Sequence, residues 1–329
     1  MTSPVRENIN STEQITDGLP TRDLNSLIVG CVVNSVFSFT AFTGNGLVLG
    51  TIWKTPSLHS PSHVLLFGLA LSDFGVGFMV QPLYVICLLL EIITQKYLLV
   101  VWTAYRVTQA VFVSATVLTL TTVSIDRFLA LYLHLRYPGV VTAKRATITL
   151  LTIWITSLAY ALTGIANNDL HRVLCVFLIS SSLLVNSFLY SMIFRIARHH
   201  QNQTQDQAHI YGGATLSRKR HRNAAVSMFV VFLLLCACYL PYLCVRIAIK
   251  HARWQIRIVR LALSWSGVLV YINSSLNPFV YCWRMRELRA AMKDFAKNHM
   301  FCNGWWQCTA VTADVTDVHV IEPNHRRSI

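Results

Sequence analysis

Several ionisable side chains lie inside long apolar stretches of this 329-residue chain, where a charge is costly. Asp73 stands within one stretch, Asp126 and Arg127 stand together in a second, and Arg106 and Arg246 interrupt two helical stretches. A charge in a membrane-spanning segment needs a partner, a proton or water, so each of these residues is a candidate functional site. None belongs to a metal-binding His-Glu-x-x-His or a paired catalytic Asp motif, which argues against an intramembrane enzyme.

The elements that must position these residues are seven apolar segments. The chain is 54% hydrophobic and 13% charged, with a mean hydropathy of +0.48, which excludes a disordered chain and most soluble enzymes. A bilayer core about 30 Å thick requires about 20 apolar residues per helix, and seven segments reach that length. The predicted fold is therefore an all-α membrane protein, a bundle of seven transmembrane helices. The predicted spans are 27–53, 64–90, 98–132, 146–165, 173–198, 224–249 and 258–282.

A short amphipathic eighth helix is predicted after the seventh span. Met285, Leu288, Met292 and Phe295 recur at helical spacing with basic residues between them, which is typical of a helix lying on the inner leaflet. The predicted organisation is an extracellular N-terminal tail over 1–26, a seven-transmembrane domain over 27–283, the amphipathic helix over 284–298 and a cytoplasmic tail over 299–329.

The net charge of +14 would suggest nucleic-acid binding in a soluble protein, but in a membrane protein it indicates topology. Most of the 28 Lys and Arg residues fall on the cytoplasmic side if the N-terminus is outside. We therefore expect a multi-pass plasma-membrane protein with an extracellular N-terminus and no nucleic-acid partner. Asn10, in Asn-Ser-Thr, is then a usable glycosylation site. Cys302 and Cys308 in the tail are either palmitoylation sites or free thiols.

Five motifs follow one another along the apolar segments, and their order resembles the rhodopsin-type (class A) G-protein-coupled receptors. The resemblance covers all seven segments and the eighth helix, and it looks most like the adenosine, melanocortin and lipid receptor branch. It implies a receptor that converts extracellular ligand binding into activation of a heterotrimeric G protein. The alternative is a multi-pass transporter or channel, which would require repeated halves and paired charges along a pore. The motifs are Gly44-Asn-Gly-Leu-Val48, Leu69-Ala-Leu-Ser-Asp73, Asp126-Arg-Phe128, Cys238-Tyr-Leu-Pro241 and Asn273-Ser-Ser-Leu-Asn-Pro-Phe-Val-Tyr281.

The resemblance implies a bound sodium ion as the one cofactor. In receptors of this type the ion favours the inactive state and is held by oxygens around a buried carboxylate. The alternative here is a waterless hydrogen-bond network around a neutral carboxyl group. The implied sodium site consists of Asp73, Thr116, Asn273, Ser274 and Asn277.

The resemblance also implies an activation switch at the cytoplasmic end. In the resting state Asp126 holds Arg127, and on activation Arg127 moves towards Tyr190. Prolines in helices six and seven remove backbone hydrogen bonds, so both helices can bend. The implied switch residues are Asp126, Arg127, Tyr190, Pro241, Pro278 and Tyr281.

The base of helix six differs from that of many receptors of this type. Such receptors have an acidic residue there that restrains Arg127, whereas the matching segment 218–222 contains no acidic residue. Like charges repel, so this segment predicts raised ligand-independent signalling.

Arg106 and Arg246 predict an anionic ligand, because guanidinium groups suit carboxylates and phosphates. Gln109 stands where amine receptors have Asp, Tyr271 where opsins have Lys, and Arg246 where adenosine receptors have Asn. The predicted ligand is a small carboxylate, a lipid acid or an acidic peptide. The alternative is that the arginines extend to water. The predicted ligand-binding residues are Tyr105, Arg106, Gln109, Tyr239, Tyr242, Arg246 and Tyr271.

No extracellular disulfide is predicted. Receptors of this type usually have a Cys at the start of helix three, bonded to the second outer loop. Trp102 occupies that position, and the predicted loop 166–172 contains no Cys.

Overall fold

The computed structural model describes residues 24–94, 98–133, 136–211, 233–248 and 256–300. The described residues form a series of helices, and no strand occurs among them. The helices are α1 (Leu24–Lys54), α2 (Pro61–Thr94), α3 (Leu99–Leu133), α4 (Ala143–Ala166), α5 (Asn168–Tyr211), α6 (Leu233–Ala248), α7 (Ile256–Arg284) and α8 (Arg286–Met300).

Each of the seven predicted spans overlaps one of the helices α1 to α7, which confirms an all-helical membrane bundle. Each of α1 to α5 contains an 18-residue window with a mean hydropathy between 1.5 and 2.1, enough to cross a membrane. Large apolar side chains such as Val100, Phe177 and Leu184 are exposed around the bundle, whereas the polar Asn34 and Asp73 are fully buried. An apolar exterior around a polar interior suits a lipid environment.

The connection between α4 and α5 is a single residue, shorter than the predicted loop. α4 ends at Ala166 and α5 begins at Asn168. The Oδ1 of Asn167 accepts hydrogen bonds from the backbone N–H groups of Asp169 at 2.9 Å and Leu170 at 3.0 Å. Asn167 therefore caps the start of α5 and turns the chain at the same time.

The far end of α5 is also longer than predicted. The predicted fifth span ends at residue 198, but α5 continues to Tyr211. No Gly or Pro occurs before Gly212 and Gly213, so no residue in this stretch breaks the helix. A polar helix can project beyond the bilayer because its backbone is internally hydrogen-bonded.

α1 and α2 approach each other closely at Gly77, inside a π-helical segment over Val76–Val80. The Ser38 hydroxyl donates a hydrogen bond of 2.7 Å to the Gly77 carbonyl. A Cβ atom at Gly77 would lie 2.6 Å from the backbone nitrogen of Phe42, so a larger residue would force the two helices apart.

The apolar face of α8 docks on the bundle rather than facing only lipid. Leu288 and Met292 are 0% and 5% exposed. The Phe295 ring lies against Gly50 of α1, and the sulfur atoms of Cys282 and Met292 are 3.6 Å apart. The expected helix on the inner leaflet therefore uses its apolar residues to contact α1 and α7.

Candidate functional site

A cavity of about 410 Å³ lies at the end of the bundle that holds the α4–α5 connection, which we call the outer end. Side chains from α2 to α7 line it, and its volume is within the range of small-molecule sites. The structure brings together all seven residues that the sequence predicts as ligand-binding. They are Tyr105, Arg106, Gln109, Tyr239, Tyr242, Arg246 and Tyr271.

Two arginines in this cavity have neutral partners. Arg106 donates from Nη2 to Oδ1 of Asn168 at 2.6 Å, and Arg246 donates from Nε to the Tyr242 hydroxyl at 2.9 Å. The third lining arginine, Arg172, is 3.3 Å from the Asp169 carboxylate. No Asp or Glu among the described residues lines the cavity. Arg106 and Arg246 are both half-buried.

Tyrosines join three helices beside the arginines. The hydroxyl oxygens of Tyr105 and Tyr271 are 2.6 Å apart, so one donates a hydrogen bond to the other between α3 and α7. The Tyr84 ring of α2 stacks on Tyr105 with centroids 5.1 Å apart and meets Tyr271 edge-on at 6.2 Å. This side of the cavity is an aromatic wall that suits an apolar or planar ligand body.

Sequence reasoning missed the face that α5 contributes. Asn168, His171, Arg172 and Cys175 all line the cavity, and their spacing of three, four and seven residues from Asn168 places them on one helical face. This helical spacing is present in the sequence, but most of these residues were assigned to the predicted loop 166–172. Recognising Asn167 as a helix cap would have exposed the pattern.

The buried carboxyl group of Asp73 lies midway along the bundle and is 0% exposed. Asn277 donates to its Oδ2 at 2.6 Å, and the Thr116 hydroxyl is 3.1 Å from its Oδ1. Ser274 also contributes a side-chain hydrogen bond to this carboxyl group. The Nδ2 atom of Asn273 is buried and has no hydrogen-bond partner among the described residues, so it does not donate to this carboxyl group.

A second polar cluster closes the opposite end of the bundle, which we call the inner end. Arg127 Nη2 is 3.4 Å from Oδ2 of Asp126. The Ser62 hydroxyl donates to the same oxygen at 2.7 Å, and the Tyr137 hydroxyl donates to Oδ1 at 2.7 Å. Burial and the bond to Asp126 raise the pKa of the Tyr137 phenol, which keeps it a neutral donor. Ser62 and Tyr137 come from other elements, so no local motif indicated them.

The remaining predicted switch residues lie on α5, α6 and α7. Tyr190 accepts a hydrogen bond of 3.2 Å from Ser124, on α3 one turn before Arg127. Tyr281 is 8% exposed near the inner end of α7. Pro241 lies within α6, and the Pro278 ring of α7 lies against Gly44.

Several predicted features lie outside the described residues: Asn10, Cys302, Cys308 and the segment 218–222. The seven cysteines that the structure describes are free thiols, including Cys175 in the cavity.

The fold and the three polar sites define a seven-helix membrane receptor. The family described as "7 transmembrane receptor (rhodopsin family)" matches residues 44–173 and 166–281. Similar proteins include the adenosine receptor A3 of Canis lupus familiaris, 26% identical over 301 residues that cover 82% of this chain and 91% of the relative. The adenosine receptor A2b of Mus musculus is 24% identical over 304 residues, covering 81% and 89%. The adenosine receptor A2a of Equus caballus is 24% identical over 329 residues, covering 83% and 73%.

The chain belongs to the rhodopsin family of seven-transmembrane receptors. It is a signalling receptor of the multi-pass plasma-membrane type, as its relatives are, and not an enzyme. The expectation of a class A receptor is confirmed, and the family does not support the alternative of a transporter or channel. A G protein and an extracellular ligand are the partners that this family implies.

Proposed function

We propose that this receptor binds an anionic extracellular ligand in its outer cavity and activates a heterotrimeric G protein at its inner end. The observation that carries the proposal is the pair Arg106 and Arg246, which share one cavity and have neutral hydrogen-bond partners. The N-terminus and the cavity then face the extracellular side, because most basic residues of the connections and the tail fall on the inner side.

The electrostatics of the cavity favour an anion. The two guanidinium groups repel each other, and an anion between them would relieve that repulsion while accepting charge-assisted hydrogen bonds. A cationic ligand would find no acidic side chain among the described lining residues. The tyrosines Tyr105, Tyr242 and Tyr271 suit an apolar or aromatic body attached to the acid group. A small carboxylate, a lipid acid and an acidic peptide all share this chemistry.

The test compares two probes of similar size and opposite charge, naphthalenesulfonate and naphthyltrimethylammonium, on the purified receptor. We expect the wild type to bind the sulfonate. The double variant Arg106→Glu/Arg246→Glu should lose about 100-fold in sulfonate affinity, because two charge-assisted hydrogen bonds of about 1.5 kcal/mol each disappear. Lys144→Glu makes the same reversal at an exposed site away from the cavity and should leave binding unchanged.

Two outcomes would contradict an anionic ligand. One is a wild type that binds both probes equally or prefers the ammonium, and the other is sulfonate binding that survives the double reversal. Adenosine is the third probe, because the relatives named above are adenosine receptors. Adenosine receptors have Asn where this chain has Arg246. Saturable adenosine binding that displaces the sulfonate would favour a neutral nucleoside ligand instead.

Coupling to a G protein is proposed from Arg127, which lies at the inner end of α3 beside Asp126. The experiment measures ligand-independent nucleotide exchange on purified G proteins. Arg127→Ala should abolish the exchange, whereas Arg172→Ala, at the outer end, should retain it. Equal exchange by both variants would contradict coupling through Arg127.

Raised basal activity is proposed from the sequence of segment 218–222, which contains no acid. Second-messenger levels in cells expressing the wild type should exceed those of mock-transfected cells at measured surface expression. Introducing one acid by Arg222→Glu should lower them, because an acidic residue at the base of helix six would attract Arg127. Basal levels equal to those of mock cells would contradict the proposal.

A sodium ion is proposed at Asp73. Thr116 Oγ1 is 3.1 Å from Oδ1 of Asp73 and 3.0 Å from Ser72 Oγ, so several oxygen atoms surround this hydroxyl group. No basic residue among the described side chains forms an ion pair with Asp73, and a buried carboxylate needs a cation or a proton. The residues proposed to hold the ion are Asp73, Thr116, Asn273, Ser274 and Asn277, whose carboxyl, hydroxyl and amide oxygens suit a hard cation.

A further inference from the structure

His171 is a titratable residue that lines the outer cavity. It lies one turn after Asn168 on the face of α5 that lines the cavity. Its ring stacks on Tyr160 of α4 with centroids 4.5 Å apart and an interplanar angle of 21°. The ring also packs over Gly164, where a Cβ atom would lie 3.2 Å from Nδ1. The imidazole is therefore held in one position by α4.

Both ring nitrogens of His171 face hydroxyl groups. Nδ1 is 3.2 Å from Oγ1 of Thr163, and Nε2 is 3.3 Å from the Tyr160 hydroxyl. A hydroxyl can accept or donate a hydrogen bond, whereas a carbonyl can only accept and an ammonium can only donate. The neutral and the protonated imidazole therefore both find partners here, and the ring can change charge without moving.

The charged groups around His171 are mainly cations. Arg106 of α3 and Arg246 of α6 both act on it electrostatically. Arg172 follows it directly on α5 and is paired with Asp169. The other titratable side chains that line the cavity near His171 are Tyr160 of α4, Tyr242 of α6 and Cys175 of α5. The cations that line the cavity thus oppose a further positive charge on the imidazole, and an anion bound beside the arginines would remove that opposition.

We propose that the ligand anion binds together with one proton, which His171 takes up to become an imidazolium that helps to hold the anion. This inference rests on the proposed anionic ligand and adds a third binding residue and a co-ligand to it. No covalent step is involved: a proton from solvent joins the neutral imidazole nitrogen as the anion enters.

Proton uptake links affinity to pH in one direction. If the complex holds one more proton than the free receptor, affinity must rise as pH falls, by at most about tenfold per pH unit. The rise should be confined to the range in which a histidine titrates, from about pH 8 down to about pH 5.5. An anion site made of arginines alone would show no such change, because guanidinium groups keep their charge throughout this range.

The first experiment uses the wild-type receptor and naphthalenesulfonate, whose own charge does not change in this range. Titration calorimetry in two buffers of different ionisation enthalpy counts the protons taken up per anion bound. We expect a fraction of a proton near neutral pH, together with several-fold tighter binding at the acidic end. Zero proton uptake at every pH would overturn the proposal without any variant being made.

The second experiment assigns the proton to its residue. His171→Gln should bind the sulfonate weakly with no pH dependence, and His171→Arg should bind it tightly with no pH dependence. His59→Gln makes the same change at an exposed histidine near the inner end of α1 and should keep the wild-type profile. If His171→Gln retains the profile, the proton belongs to another group and the inference is wrong. If the sulfonate binds tightly, depends on Arg106 and Arg246, and shows no pH dependence in the wild type, the anionic ligand stands and the role of His171 falls. If it does not bind at any pH, both fail.

Discussion

Arg106 and Arg127 lie on the same helix, but their hydrogen-bond and ion-pair partners differ between the two ends of the bundle. They lie 21 residues apart on α3, about 30 Å along its axis. At the inner end, Arg127 lies against the Asp126 carboxylate, which accepts two further hydrogen bonds from Ser62 and Tyr137. At the outer end, Arg106 donates to the amide oxygen of Asn168.

This difference suits the outer end to ligand binding and the inner end to restraint of Arg127. A cation beside a carboxylate is already compensated, so the inner cluster stabilises one arrangement until something replaces its partners. A cation beside neutral oxygens keeps most of its attraction for an incoming anion. We therefore expect ligand affinity to depend on the outer end and the stability of the resting state to depend on the inner end.

The largest effect is expected from placing an acid beside Arg106, as Asp126 lies beside Arg127 at the inner end. Gln109 lines the cavity three residues after Arg106, a spacing that brings side chains about 6 Å apart on a helix. Gln109→Glu would place a carboxylate beside the guanidinium. At an effective dielectric constant of about 20, that interaction is worth about 3 kcal/mol, and naphthalenesulfonate affinity should fall about 100-fold.

The matched control for this change is Gln109→Asn, which alters size without adding charge and should cost less than about tenfold. Arg127-dependent nucleotide exchange without ligand should be unchanged in Gln109→Glu. Unaltered sulfonate affinity in the Glu variant would show that Arg106 does not contribute to the anion site, and the comparison between the two ends would fail there.

The next effect is expected from removing the acid at the inner end. Asp126→Asn keeps the shape of the side chain but removes the charge that Arg127, Ser62 and Tyr137 share. Charge-assisted hydrogen bonds contribute about 1.5 kcal/mol or more each, so ligand-independent nucleotide exchange should rise about tenfold.

Asp169→Asn is the control for Asp126→Asn, because it removes the acid of the other described ion pair, with Arg172 at the outer end. Asp169 is 87% exposed, so its loss should leave basal exchange unchanged. Equal exchange rates for Asp126→Asn and the wild type, at equal amounts of receptor, would show that the cluster does not restrain Arg127.

The two ends also differ in how far the sequence predicts them. Apolar length predicts the seven helices, and resemblance at single helical positions predicts the seven cavity residues that those helices carry. Ser62 and Tyr137 were missed because their contact with Asp126 depends on how separate elements pack, which no local pattern records. His171 was missed for a local reason, since a one-residue connection replaced the expected loop. The length of α5 depends on the first helix-breaking residues, Gly212 and Gly213, and the docking of α8 depends on its contact with Gly50 of α1.

A smaller effect is expected midway between the ends, at Asp73. If sodium binds there, the melting temperature of the purified receptor should rise when sodium chloride replaces the chloride salt of a bulky organic cation. A ligand at about tenfold its dissociation constant stabilises the folded state by about 1.4 kcal/mol. Asp73→Asn should abolish the difference between the two salts. A wild type indifferent to the choice of cation would favour the alternative of a neutral, hydrogen-bonded Asp73.

The smallest effect is expected from the hydrogen bond between the Tyr105 and Tyr271 hydroxyl groups, because neither partner carries a charge. Tyr105→Phe and Tyr271→Phe should each lower the free energy of unfolding by about 1 kcal/mol, because a bond between uncharged groups contributes about that much. The double variant should lose about the same amount as either single variant, since both remove the same bond. Tyr132→Phe, at a residue that is 65% exposed on α3, is the matched control and should be neutral. Additive losses would mean that the two hydroxyls act on other groups, and the aromatic wall would then not join α3 to α7 through this bond.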